Sequence, residues 1–287
     1  MKIALHDADK TNFPNLALMK ISAFHKAQGD EVVWYDALWA NDYDKVYSSK
    51  VFTFTTTEKL HGNVIYGGTG YVHGKQPRPE WVDYTPDYNL HSLDYSLGFL
   101  TRGCVNKCPW CVVPEAEGDI RPESDIEDFL RHDKAVLMDN NVLAHPHGIH
   151  QIEKIAKMGI KVDFNQGLDA RLIDDSIARL LSKVKWLEPI RLACDRQSQM
   201  KHIQRAVTLL RWHNVTPRTY FVYVLVKDIQ DALERVKFLK GMYLDPFAQP
   251  YRDIKNPKEP TQEQKDFARW VNMKATFKSV MWENYAA

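Results

Sequence analysis

Short apolar runs alternate with amphipathic stretches from one end of the chain to the other. KIALHDAD (2–9) reads as a buried strand, and NFPNLALMKISAFHKAQG (12–29) as a helix with Leu16, Met19 and Ala23 on one face. DEVVWYD (30–36) completes a strand, helix, strand start. VFTFTTT (51–57) and NVIYGG (63–68) read as two further strands, so residues 1–75 are expected to form a small Rossmann-like α/β domain on a parallel sheet. The pattern then lapses. KQPRPEWVDYTPDYN (75–89) carries three prolines and little periodicity, which makes 76–90 the expected linker.

Beyond it the alternation resumes. Strand signals at YSLGFLT (95–101), AVLMDNN (135–141), KVDFNQG (161–167), PIRLACD (189–195), TYFVYVLV (219–226) and GMYLDPF (241–247) are separated by helical stretches around 124–132, 148–159, 174–184, 200–214 and 228–241. Successive βα units of this kind predict an α/β fold, here a partial (β/α)6 TIM-like barrel over 91–253. In such a sheet the loops at the carboxyl ends of the strands carry the chemistry. The tail, 254–287, reads as one amphipathic helical extension with Phe267, Trp270, Val271 and Phe277 toward a core.

Composition narrows the class without naming an activity. With 287 residues, 44% hydrophobic, 26% charged and a net charge of +1, the chain has room for a sizeable core and no global pull toward nucleic acid or membrane. No apolar run is long enough to span a bilayer, so a cytoplasmic protein without a membrane partner is expected. There are 4 cysteines, and three of them fall in CVNKCPWC (104–111), too close together to pair comfortably. Such thiols serve as ligands or catalysts in a reducing compartment.

Cys104, Cys108 and Cys111 sit in the loop after the first strand of the second part. A structural zinc site closes its shell with four ligands, and the nearest downstream histidine, His132, falls on a predicted helix outside the loop. An iron–sulfur cluster held by three thiolates leaves one iron open for a small molecule. A zinc-stabilised binding module without radical chemistry remains the alternative from another class.

TRGCVNKCPWCVVP resembles the cluster loop of the radical S-adenosylmethionine (radical SAM) superfamily, in particular the branch with methylthiotransferases and enzymes carrying cobalamin-binding-like amino-terminal domains. The aromatic Trp110 before the third cysteine is part of that likeness. The resemblance spans roughly 90–250 by motif and order of elements, and is topological only over the first 75 residues. It implies a [4Fe-4S] cluster on Cys104, Cys108 and Cys111, whose open iron chelates S-adenosylmethionine (SAM) for reductive cleavage to a 5′-deoxyadenosyl radical. It also implies SAM contacts from Asp139, Asn140 and Asn141, where MDNN stands in place of a Gly-Gly-Glu type segment. Polar groups after later strands, Asn165, Gln166, Asp169, Arg171, Arg191 and Asp195, are placed to meet ribose hydroxyls and the methionine carboxylate. Tyr223, Lys227, Gln249, Tyr251 and Arg252 are candidates to face substrate. LHDADKTNF lacks the Asp-x-His-x-x-Gly order of cobalamin-binding domains, so no cobalamin is expected. The second cluster and carboxy-terminal RNA-binding barrel of methylthiotransferases have no counterpart, which disfavours methylthiolation.

Substrate class stays open among small molecule, peptide and RNA. Cys194 reads as a buried strand residue. GGTGY (67–71) lacks the phosphate-loop pattern and reads as a turn. Residues 196–240 hold nine Lys and Arg against three acids, a local excess that suits an acidic electron donor such as flavodoxin or ferredoxin better than RNA.

Overall fold

The computed structural model describes residues 1–71, 76–187, 189–215, 220–253 and 258–285. Arg218 of the basic stretch, and 254–257 and 286–287 of the tail, lie outside the described residues.

Four parallel strands open the chain: β1 (Lys2–Asp7), β2 (Glu31–Trp34), β3 (Lys45–Ser49) and β4 (Val64–Gly67), in the order β2-β1-β3-β4. Helix α1 (Leu16–Ala27) begins at Asn15, whose side chain accepts from Leu18 N at 3.3 Å. Period-two alternation then sorts the faces: Ile3 and Leu5 pack on Leu18 and Ile21 of α1, while Ala4 and Val46 face Tyr43 and Leu60.

The strand expected at 51–57 is a loop instead. Its β-branched and aromatic residues look like a strand, but the Asp9 carboxylate takes the N–H of Val51 (2.6 Å) and the hydroxyl of Thr55 (2.5 Å), diverting the backbone from a ladder. The pairing strand is β3, whose sequence KVYSS has no apolar run to announce it. The proline-rich segment carries two one-turn 3-10 helices, Glu80–Asp83 and Tyr88–His91. Tyr88 is buried, donates to Phe129 O at 2.6 Å, and shares a core cluster with Met19 of α1, Leu97 and Val136.

A second parallel sheet contains β5 (Ser96–Gly98), β6 (Lys134–Leu137) and β7 (Lys161–Phe164) in that spatial order, with Lys185–Trp186 beyond β7. A third is formed by β8 (Arg191–Ala193), β9 (Phe221–Val226) and β10 (Asp245–Pro250). The parallel bridge Leu168↔Leu192 connects the two. Between strands run α2 (Pro146–Met158), α3 (Asp175–Leu181), α4 (Met200–Trp212) and α5 (Ile229–Gly241). The stretch expected as a helix at 124–132 makes one helical turn, Ile126–Phe129, and its terminal turn is closed by an Asp125/Asp128 capping box.

One core fills the space between these strands and helices. Val222, Val224 and Val226 of β9 are fully buried with Val236 and Leu239 of α5, and the alternate residues Phe221, Tyr223 and Leu225 face the other way. On that opposite face Phe221 stacks with Phe247 at 5.1 Å between ring centres. The tail is two helices rather than one, α6 (Gln262–Asn272) and α7 (Lys274–Ser279), broken at Met273; Phe267, Trp270, Val271 and Phe277 are buried as the amphipathic pattern predicts. No helix among the described residues is long and apolar enough to cross a membrane.

Candidate functional site

The cysteine loop leaves the carboxyl end of β5 and is pinned at three places. Thr101–Arg102 pairs antiparallel with Arg121–Pro122, closing the base of the excursion. At the turn, Gly103 has φ +80°, and a Cβ there would stand 2.3 Å from Asp119 O, so both the conformation and the space require glycine. Glu117 supplies the second clasp, accepting Gly103 N–H at 2.8 Å and Asn140 Nδ2 at 2.9 Å while pairing with Arg102 at 3.2 Å.

Asp139 supplies the third. It follows β6, is 3% exposed, and accepts Leu100 N–H (3.1 Å), Thr101 N–H (2.5 Å) and the Thr101 hydroxyl (2.7 Å). Burial raises its pKa to about 6 against the opposing pull of these donors. The expected SAM contact thus has its carboxylate already occupied by the backbone that launches the loop. Asn140, with its amide on Glu117, is engaged in the same scaffold.

Around Cys104 the donors converge on sulfur. Asn106 N–H lies 3.4 Å from its Sγ, Asn106 Nδ2 3.6 Å and Asn141 Nδ2 3.7 Å. Both amides also donate to Asp169 Oδ2, at 3.2 and 3.1 Å. Arg171 grips Asp169 through two bonds of 2.8 and 2.7 Å. Burial works against the Asp169 anion, yet Arg171 holds its carboxyl below the usual range. The Cys108 thiol is pushed up by burial, with Arg171 opposing. Asn141 itself is 3% exposed, and its Oδ1 is a buried acceptor with no hydrogen-bond partner.

The remaining expected residues divide. Arg191 is not free to meet a carboxylate, because its fork is bidentate on buried Asp163 (2.9 Å each) and lies over Phe221. Asp195 accepts Leu225 N–H at 3.0 Å, and burial raises its pKa. Asn165 lends its carbonyl to the Tyr223 hydroxyl at 3.0 Å, and Gln166 is exposed. Trp110 stands under Arg196, whose guanidinium is 4.2 Å from the ring centre. Farther out, Lys227 lies over Tyr251, and Arg252 lies over Phe54 at 4.2 Å, joining the 51–57 loop to the end of β10. Among the described residues no three His, Cys, Asp or Glu side chains converge on a single metal position.

No protein-family model and no curated protein matches the chain. Several solved structures align, two of them as follows. Both are crystal structures of SuiB from Streptococcus suis, one bound to S-adenosylmethionine and one to the precursor peptide SuiA. Each gives a TM-score of 0.47, at 13% and 14% identity over 67% and 69% of this chain, and the chain spans about half of SuiB, 51% and 49%. Overlap at this level is partial, and the chemistry of the site follows from this chain's own side chains.

Sequence reasoning missed Glu117, Asn106 and Asp163. Glu117 and Asp163 are acids whose partners are remote in sequence, and no local pattern marks them. Asn106 is inside the cysteine motif itself, where its amide in reach of Cys104 was the available signal.

Proposed function

We propose that this chain is a radical SAM enzyme, with the strands of its second and third sheets forming an open partial barrel over 91–253. The observation that carries the reading is the cysteine loop: three thiols on one tightly pinned excursion at the carboxyl end of a parallel sheet, with amide donors aimed at Cys104 sulfur. The donor set fits a [4Fe-4S] cluster, which offers each thiolate its own iron and is tuned by N–H groups at sulfur. Cys104, Cys108 and Cys111 would hold it, and when bound with SAM it supplies one-electron cleavage of the sulfonium to methionine and a 5′-deoxyadenosyl radical.

The chain's own groups do the rest. Asp139 and Glu117 fix the two stems of the loop, so that the thiols are presented in one arrangement. Asn141 has a buried acceptor without a hydrogen-bond partner, its Oδ1, and this atom is assigned to the SAM ammonium in place of the occupied Asp139 carboxylate. Arg171, already committed to Asp169, balances negative charge near Cys104 and Cys108. Residues 1–75 are read as a Rossmann-like unit and 258–285 as a helical cover. The substrate is left as a class: a small molecule, peptide or RNA with an abstractable hydrogen.

Anaerobic reconstitution tests the reading. Wild-type protein is expected to turn brown and release 5′-deoxyadenosine with dithionite; Cys104→Ala, Cys108→Ala or Cys111→Ala each abolishes both signals, whereas Cys194→Ala keeps them. A colourless zinc protein, or loss of iron in Cys194→Ala equal to that in the loop variants, refutes the assignment. Asn141→Ala is expected to weaken SAM binding by roughly tenfold to a hundredfold, the worth of one charge-assisted hydrogen bond. An unchanged SAM titration removes Asn141 from that role.

A further inference from the structure

The open side of the barrel proposed above lies between β5 and β10, which stand at the two outer edges of the second and third sheets. Residues 1–75 reach both edges: Met19 of α1 packs with Leu97 of β5, and Phe54 of the 51–57 loop lies under Arg252, just after β10. Resting on the radical reading, we infer that this loop is a stacking shelf for a single strand of RNA, which is the substrate. Three clasps fix the loop. Asp9 accepts the N–H groups of Val51 and Phe52 and the Thr55 hydroxyl. The turn GGTGY (67–71) grips its start, the Thr69 hydroxyl donating to Val51 O at 2.8 Å and Gly70 N–H to Lys50 O at 2.9 Å. A Cβ at Gly70 would stand 2.5 Å from Lys50 Cγ and 2.8 Å from Phe52 O, so glycine lets the turn close this tightly. Arg252, its guanidinium 4.2 Å from the Phe54 ring centre, is the third clasp.

A loop held this firmly nonetheless keeps its apolar side chains in water. Val51, Phe52 and Phe54 are 50%, 42% and 52% exposed, and the two rings stack on each other, 5.2 Å between centres and 25° between planes. Such a patch marks an interaction site. Aromatic faces beside cations suit the bases and phosphates of a single strand together. Here Arg252 lies over Phe54, and at the exit of β9 Lys227 lies over Tyr251 at 5.3 Å. The acids of this rim are mostly engaged: Asp9 by the loop, Glu58 by Lys10, and Glu259 by Arg252 and Lys265, with Asp253 beside Tyr251. Lys59 and Lys227 are exposed, and neither forms an ion pair among the described residues. That excess is small, so bases supply most of the hold and phosphates the lesser part. Rings half open to solvent enclose a small molecule on one side only. A strand can lie across them and carry its next bases over the carboxyl ends of the parallel strands, where the cysteine loop also emerges.

Fluorescence anisotropy of a short labelled single-stranded RNA, titrated with the reconstituted full chain, tests the shelf. Phe52→Ala is expected to weaken binding about tenfold, the worth of one stacked base, and Phe52→Tyr to bind like wild type. Phe52→Leu keeps apolar area but has no flat face, and should bind like Phe52→Ala. Urea midpoints equal to wild type confirm that these exposed substitutions leave the fold in place. Lys227→Gln should lower the log-log salt slope by about 0.7, one single-strand phosphate contact. The same RNA annealed to its complement, with its bases no longer free to stack, should bind far less tightly. Equal binding by wild type and Phe52→Ala, Phe52→Leu binding as well as wild type, or a duplex held as tightly as the single strand each overturns the shelf. So does displacement of the strand by a short aromatic peptide at comparable concentration, which would make a peptide the occupant. Formation of 5′-deoxyadenosine with dithionite is scored separately on wild type. Its presence without strand binding overturns this inference alone; its absence overturns the radical reading and with it the strand's role as substrate.

Discussion

Asp139 illustrates how far a residue's role depends on partners the linear order hides. Its carboxylate is held by N–H groups 38 and 39 positions away, and burial lifts its pKa to about 6. Between about pH 4 and pH 6 the folded chain keeps a proton there that the unfolded chain has released. The contribution of this group to stability is therefore largest in acid and is lost as pH rises through that window, by about 3 kcal/mol for a shift of this size. Denaturant melts of the apo protein should show wild type losing stability relative to Asp139→Asn from pH 4 to pH 7; parallel pH profiles would remove Asp139 from the account. The cysteines were legible because their spacing is itself the signal, and Trp110 came with them. Asp139 and Arg191 are expected as cofactor contacts from their places on or after strands, but their partners, backbone amides and Asp163, can be seen only once the strands are side by side.

At the scale of the element, periodicity located every helix from α2 to α5, since each buries one stripe against the sheets. It failed where hydrogen bonding outweighed propensity, as at 51–57 on Asp9, and where a strand was polar, as in β3. Nor does it separate Arg235 from the other cations of 196–240. That residue carries a buried guanidinium from α5 to the carbonyls of Cys194 and Leu225, with Asp231 as its counter-ion at 2.6 Å, tying the helix to the exits of β8 and β9. Replacing it strands two carbonyls and a partly exposed carboxylate, so Arg235→Leu is expected to cost about 3 kcal/mol. Lys237→Glu, at an exposed ion pair, should cost under about 1 kcal/mol. Urea midpoints compare the two, and similar values for both would mean the buried fork is dispensable.

For the whole molecule, the rhythm of strands and helices was readable in the sequence, and the contacts that join its parts were not. Tyr88 in the proline-rich segment, Met19 in α1 and Val136 in β6 lie far apart along the chain and share one cluster. The same kind of long-range tie operates at Asp169, where Asn106 from the cysteine loop and Asn141 from the β6 exit meet a carboxylate that begins the turn at Ala170–Leu172. That turn holds no cysteine, yet anything that stills the loop must still it too. The arrival of iron would be recorded there as time: backbone amides at 170–172 keeping their protons longer against deuterated solvent after reconstitution, while those of β2 and β4 exchange at their former pace. Asp169→Ala should erase that record, and exchange at 170–172 that ignores iron would show the carboxylate to be a bystander.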